Sequence, residues 1–387
     1  MDFAAADIVA LTMGGVAGLG LLQSAIGVGL LARFSTQNPP APKTLPAITV
    51  LKPLYGDEAL LEPALASFFA QDYPHFQIVF GVQNPADPAL LVVERLRARF
   101  PHVAIDVVID ATRHGCNGKI GNLINMYRAA RHDVLVISDS DIHAPPHTLR
   151  DVAATLARPG VGLATALYTG LPATETLPSQ LGAAYINQDF LPGALLARAM
   201  GRQDALGAIM ALTRPNLEKV GGLPALADHV ADDALLGKLI RAQGLDVALL
   251  HAIPATTVQE TQLGALFHHE LRWSRTVRSV APAGFALSAV QFPLFWALLA
   301  LILTDADHRP LAWIGFGAIW LARAMLGSVR DRLLRRPSTL PIWGLPLRDL
   351  LSVMIMLASY RSNRVAWRGQ EHQVLAFTRA ELEPGRG

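Results

Sequence analysis

From Ile8 to Leu31 the chain runs IVALTMGGVAGLGLLQSAIGVGLL, 24 residues without one charge, and only Thr12, Gln23 and Ser24 interrupt its apolar character. A helix needs about 20 apolar residues to cross a bilayer. Asp2 and Asp7 precede the stretch and Arg33 follows it. A cleaved signal peptide shows the opposite pattern, a basic start and a shorter apolar core. The stretch therefore predicts an uncleaved anchor over residues 1–34, with its amino end outside and the following body in the cytoplasm. The alternative is a buried helix of a soluble protein.

Composition supports the mixed reading. Over 387 residues, 51% are hydrophobic and 17% charged, with a mean hydropathy of +0.32. That is too apolar for an ordinary soluble enzyme and too polar for a many-span transporter, and it fits a soluble body carrying a few membrane segments. A net charge of +2 without a basic, aromatic-laced tract argues against nucleic acid as a partner. One cysteine, Cys116, excludes an internal disulfide framework and any multi-thiolate metal site.

A polar, proline-rich connector, residues 35–46, leads into a body over 47–262. There AITVLK, FQIVFGV, VAIDVVI and DVLVIS read as strands. EALLEPALASFFAQ, PALLVVERLRARF and IGNLINMYRAA between them read as helices. This alternation predicts an α/β fold with a parallel sheet, whose ligands sit beyond the carboxyl ends of the strands. An amphipathic helix follows at 263–280 and a membrane region at 281–370. Its predicted spans are 285–304 and 311–329, joined by the polar turn DADHRP. The basic loop RDRLLRRPS is expected in the cytoplasm. The stretch 345–360 carries Arg348 and Asp349 and is followed by arginines, so it predicts a re-entrant or surface-lying helix rather than a crossing. Residues 371–387 are expected to form a cytoplasmic tail.

In LVISDSDI, Asp139 and Asp141 stand at the end of an apolar strand. If strand alternation continues through them, both face one way and Ser140 the other. Two such carboxylates make a poor structural pair and a good hard-cation site. Mg²⁺ or Mn²⁺ takes one or two carboxylates together with phosphate oxygens, and their repulsion is offset once ion and diphosphate are bound. Turn capping is the bland alternative. Asp87, in VQNPADPALL, sits at a helix start, where a carboxylate is favoured by the dipole or available to hold a base or ribose. RHGCNGKIGN places Lys119 at another helix start, suited to a phosphate. Asp232 and Asp233 precede a helix in VADDALL; one suits an N-cap, the other a general base. On the 263–280 helix, His269, Arg272 and Arg275 follow one ridge while Leu263, Leu266, Phe267 and Leu271 form an apolar stripe. Arginines there could stabilise charge growing on a departing diphosphate, and Trp273 could wall an acceptor pocket or anchor at an interface. A basic helix lying on anionic lipid is the structural alternative. HHELR lacks the second histidine of H-E-x-x-H, so a zinc protease is rejected.

Taken in order, TVLKPLYGDEALLE, VQNPADPALL, NGKIGNL, LVISDSDI, GGLPALADHVADD, LRWSRTVR and AWRG resemble the ceramide glucosyltransferase family, glycosyltransferase family 21, with its related bacterial hopanoid-biosynthesis glycosyltransferases. The resemblance covers about residues 48–370. It implies a GT-A type Rossmann-like sheet with one N-terminal and about two C-terminal transmembrane helices. It also implies an inverting single displacement that moves a hexose from a UDP-sugar to a lipid hydroxyl. Residue by residue, it implies that Asp87 contacts the uridine, Asp139 and Asp141 hold the metal and diphosphate, and Asp233 is the base. Arg272 and Trp273 match the R-W of (Q/R)-x-x-R-W, whose leading position is His269 here. Lys119 matches a nucleotide-side lysine, and Arg275 is assigned with it to the donor; Asp232 and His269 have no settled role. The expected partners are a UDP-sugar, a lipid acceptor (ceramide or a hopanoid polyol) and the bilayer. The expected place is a bacterial-type cytoplasmic membrane, with the catalytic body on the cytoplasmic side. Two rivals stay open: a processive polysaccharide synthase, and a non-catalytic nucleotide-sugar-binding membrane protein.

Overall fold

The computed structural model describes residues 5–37, 42, 44–367 and 370–373. The proposed tail beyond 373, part of the linker and the last two residues of AWRG lie outside them. The chain divides into two units. One comprises 38–173 and 201–259, with the terminal segment; the other comprises 1–37, 174–200 and 260–366.

The first unit is the α/β body. β1 (Ile48–Pro53), β2 (Phe76–Val82), β3 (Ala104–Ile109) and β4 (Val134–Ser138) come first. The chain then adds β5 (Ile142–His143), β6 (Val161–Ala166), β7 (Thr169–Pro172), β8 (Ile209–Thr213), β9 (Asp246–Leu250) and β10 (Ala255–Val258). Seven strands pair in the order β3-β2-β1-β4-β8-β6-β9, and β5-β10-β7 form a second, small sheet. All residues of β1 and β4 are buried, as expected of strands covered on both faces. Alternation divides them. Ile48, Val50, Ile78, Phe80 and Val136 pack on one side with Phe68 and Leu149. Leu51, Val79, Leu135 and Ile137 pack on the other with Ile120, Leu123, Leu235 and Leu239.

The four strands read from the sequence pair in parallel as expected, and the full sheet is mixed. β8 runs antiparallel to both β4 and β6. Residues 174–200 between β7 and β8 belong to the other unit, so no crossover helix remains to return β8 in the common direction.

The second unit is helical. Helix Ala5–Thr36 has 32 residues, and two of its polar breaks are satisfied internally: Thr12 Oγ1 donates to the Ile8 carbonyl at 2.8 Å and Ser24 Oγ to that of Gly20 at 3.0 Å. Gly20 lies where a Cβ would come within 2.3 Å of the Val290 carbonyl, and Gly27 where one would strike Pro192, so neighbouring backbone approaches this helix at both. Asp7–Thr36 and Arg309–Leu334 are long and apolar enough to cross a membrane. Ile8, Leu11 and Leu22 on one, and Trp313, Ile314 and Leu321 on the other, are exposed, the side-chain pattern of a lipid-facing surface. Over the span expected at 285–304 lies a bent pair, Pro282–Gln291 and Pro293–Leu303, meeting at 64°. The break is at Phe292, which has φ −105° and ψ 66°, because the residue before a proline is steered out of the helical region. Helix Gly344–Ser359 has 16 residues, about 24 Å, short of a full crossing. Arg348 and Asp349, the charges that argued against a crossing, are fully buried inside this unit.

Candidate functional site

The loops that follow the parallel strands carry most of the polar residues singled out in the sequence. Asp87, after β2, is buried. Both its oxygens accept from the Gly56 N–H at 3.0 Å, and Oδ1 also accepts from the Ala89 N–H at 3.0 Å. It thus clamps the β1 loop to the start of helix Ala89–Arg99. Gly56 has φ +75°, a conformation that glycine adopts without Cβ strain.

The loop after β3 is held by Asn117. Its side chain caps helix Gly118–Tyr127 by accepting from the Lys119 and Ile120 N–H groups at 3.0 and 3.1 Å. Its amide donates to the His229 carbonyl at 2.8 Å and to Asp232 Oδ1 at 3.3 Å. Gly115, at φ +70°, lies where a Cβ would meet the Ala227 carbonyl at 2.6 Å. Two segments more than a hundred residues apart are joined here, and their side chains meet. Lys119 Nζ is 2.7 Å from Asp139 Oδ1 and 3.6 Å from Asp232 Oδ2. Burial opposes the Lys119 charge, but Asp139 and Asp232 outweigh it and hold its pKa above the usual lysine value.

Asp139–Asp141 is a turn rather than a continuation of β4, so strand alternation does not set its side chains. β4 ends where Ser138 pairs with Ile209, and the chain turns away to pair as β5 with β10. Asp139 meets Lys119. Ser140 Oγ donates to Glu58 Oε2, and Asp141 Oδ2 accepts from Thr256 Oγ1. Burial, then the nearby Asp139, pushes the Asp141 pKa up.

Asp232 and Asp233 open helix Asp232–Ala242, whose N-cap is Ala231. Asp232 is buried, and its Oδ2 has no hydrogen-bond partner. Its pKa is raised by burial, against the pull of Lys119. Asp233 is half-buried, and its Oδ1 accepts from the Ala234 N–H at 2.7 Å. Burial and the Asp232 charge push its pKa up to about 6.

The sequence reading passed over Lys52. It is fully buried at the end of β1, with Nζ 4.0 Å from the Phe68 ring centroid, and donates to Ser138 Oγ at 3.3 Å and to the Asp139 carbonyl. Burial pulls its pKa down to about 7, against Asp141, Asp139 and Glu58. The available signal was a lone lysine inside the apolar run AITVLK. Two lysines, the buried Lys52 and the half-buried Lys119, therefore sit among the crowded acids, a source of compensation that the spacing of the aspartates did not reveal.

The 263–280 segment is one helix in the other unit, Leu263–Val280. Leu266 and Leu271 are buried as expected, but Leu263 is exposed and Glu270 is buried with them. His269 bonds through Nδ1 to Glu260 and meets Trp273 edge-on, with ring centroids 4.4 Å apart. Arg272 and Trp273 are half-buried. Arg275 Nη1 donates to the Arg364 carbonyl at 2.6 Å.

Residues 14–380 match the family model described as Glycosyl transferase family 21. The chain belongs to glycosyl transferase family 21. Curated relatives agree with family 21. Ceramide glucosyltransferase 1 of Caenorhabditis elegans is 24% identical over 240 residues, 62% of this chain and 51% of that protein. The ceramide glucosyltransferase of Komagataella phaffii is 32% identical over 118 residues, 29% of this chain and 23% of that one. The chain thus spans about half, or less, of the curated relatives it matches. Among solved structures it is similar to the mannosyltransferase PcManGT from Pyrobaculum calidifontis, at 19% identity and a TM-score of 0.49, covering 91% of this chain and 99% of that one. The body of this family 21 chain is a mixed α/β fold.

Proposed function

We propose that this chain moves a hexose from a UDP-sugar to a hydroxyl of a membrane lipid, with inversion at the anomeric carbon. The observation that carries the reading is the meeting of three motifs on Lys119, which lies against Asp139 and Asp232 beside the weakly acidic Asp233. Family membership gives that cluster its chemistry. The names of the relatives favour ceramide as the acceptor; a hopanoid polyol offers the same hydroxyl chemistry.

In this reading Asp233 is the general base. A carboxylate whose pKa is raised to about 6 is still ionised at neutral pH and is basic enough to take the proton of an attacking hydroxyl. The lipid oxygen forms its bond to the anomeric carbon as the bond to the diphosphate breaks, and the diphosphate leaves with that electron pair. Asp87 orders the β1 loop for the uridine, and Lys119 supplies positive charge near the diphosphate. Arg272, Trp273 and Arg275 take the roles in transfer that the resemblance implies for them.

A divalent ion, Mg²⁺ or Mn²⁺, fits Asp139 and Asp141. Both offer hard carboxylate oxygens, the Asp139 side chain is 38% exposed, and each carboxylate retains lone pairs beyond its contact with Lys119 or Thr256. Such an ion would neutralise charge on the leaving diphosphate. A water-soluble donor and a bilayer-bound acceptor must meet on one protein. This chain carries both an acidic site and helices able to cross a membrane, with the body proposed on the cytoplasmic side of a bacterial-type inner membrane.

Asp233→Asn tests the assignment. Turnover should fall by roughly 10²–10⁴-fold while UDP-sugar binding, measured by calorimetry, stays near that of the parent. Lost donor binding would give Asp233 a ligand or structural role instead.

A further inference from the structure

Glu270 stands one residue after His269 and two before Arg272, yet it faces elsewhere. It is 4% exposed and accepts two bonds from Arg348, from Nη1 at 2.8 Å and Nη2 at 2.7 Å. At 3.6 residues per turn, Glu270 and Arg272 differ by about 200° around the helix. The buried pair and the Arg272 side chain therefore leave opposite sides of it.

Arg348 is itself held in every direction. It has no exposed surface. Nη1 also donates to the Leu181 carbonyl at 3.2 Å, and Nε and Nη2 donate to Ser352 Oγ at 3.1 and 3.0 Å. Its guanidinium lies 5.4 Å from the Tyr185 ring centroid. The next residue, Asp349, turns to other partners: Oδ2 accepts from the Leu294 N–H at 2.9 Å, and Oδ1 lies 2.7 Å from Arg323 Nη2. Arg323 also holds Asp189, at 3.1 Å. Adjacent residues of one helix thus grip the R-W helix on one side and the apolar helices on the other.

A buried ion pair is a weak source of stability compared with apolar packing of the same volume. A bidentate guanidinium–carboxylate pair, however, accepts a narrow range of orientations, and ionisable residues among membrane helices commonly serve function. We propose that Arg348 is a positioning residue that, through Glu270, fixes the rotation of helix Leu263–Val280 and so the direction in which Arg272 and Trp273 point. This rests on the proposed role of those two residues in transfer.

The test uses the full-length protein in lipid nanodiscs with Arg348→Met, Glu270→Gln, Ser352→Ala and the exchanged pair Glu270→Arg with Arg348→Glu. Arg348→Met should lower kcat about 100-fold, the scale of a small misplacement at a reacting centre. Its KM for the UDP-sugar should stay within about twofold of the parent. The exchanged pair should recover a large part of the lost kcat. Ser352→Ala, which loosens Arg348 without stranding a charge, should lower kcat several-fold at an unchanged melting temperature. If Arg348→Met fails to fold, Ser352→Ala decides. Parent kcat in folded Arg348→Met or in Ser352→Ala would overturn the proposal. So would activity that merely tracks the folded fraction, with no recovery in the exchanged pair. An Arg272→Lys control separates the two levels: parent turnover there would remove the assigned role of the R-W motif itself.

Discussion

Asp233 and Lys52 show how burial can tune groups that composition alone leaves ordinary. Asp233 must be ionised to accept a proton, and its pKa is raised to about 6 by burial and by Asp232. Turnover should therefore fall as pH drops through about 6, and a pH–kcat profile should place the acid limb there. Asp232→Asn removes the like charge and should move that limb to lower pH. The stability sign is the reverse. The folded chain holds this proton more tightly than the unfolded one, so the Asp233 contribution is complete below pH about 4 and lost as pH rises through 6. Lys52 acts through the backbone by holding the Asp139 carbonyl and Ser138 Oγ. A hydrogen bond contributes roughly 0.5–1.5 kcal/mol, and roughly 1.5–3 kcal/mol when its donor is charged. Lys52→Met should thus lower kcat about tenfold or more, with Phe68 packing retained and circular dichroism unchanged; parent kcat would show that the turn holds its form without it.

At the level of elements, the β1–β4 alternation was legible because each strand is a short apolar run separated by a helix-length segment. β8 was not. Its direction follows from where the chain goes between 174 and 200, and no local pattern encodes that. The D-S-D turn failed for a related reason: strand periodicity was carried past Ser138, where pairing with β8 stops. The bent pair at Phe292–Pro293 was readable in principle from the proline, yet the overall apolar character of 285–304 concealed it. Of the site, the aspartates and Lys119 were visible from motif order. Asn117, Thr256 and Glu58 were not, because their partners are distant in sequence. The Asn117 junction gives a prediction at this scale. Gly115→Ala imposes a Cβ at φ +70° and 2.6 Å from the Ala227 carbonyl. It should cost about 1–3 kcal/mol from the backbone strain alone and lower the melting temperature, while separating Lys119 from Asp232 enough to reduce turnover.

Across the whole chain, two kinds of surface share one polypeptide. One unit gathers acids and two lysines near the ends of its parallel strands. The other exposes Ile8, Leu11, Trp313 and Ile314 on helices that hide Arg323, Arg348 and Asp349 within. A charge is costly among apolar helices only when lipid must solvate it, and here Arg348 and Asp349 each have protein partners. The most direct measurement of the proposed activity is mass spectrometry of lipids. The purified chain would be incubated in vesicles containing ceramide or a hopanoid polyol with Mn²⁺ and a panel of UDP-sugars. The expected result is one lipid product carrying a single added hexose, formed with inverted anomeric configuration. Products bearing several sugars, or no lipid product from any donor, would contradict it.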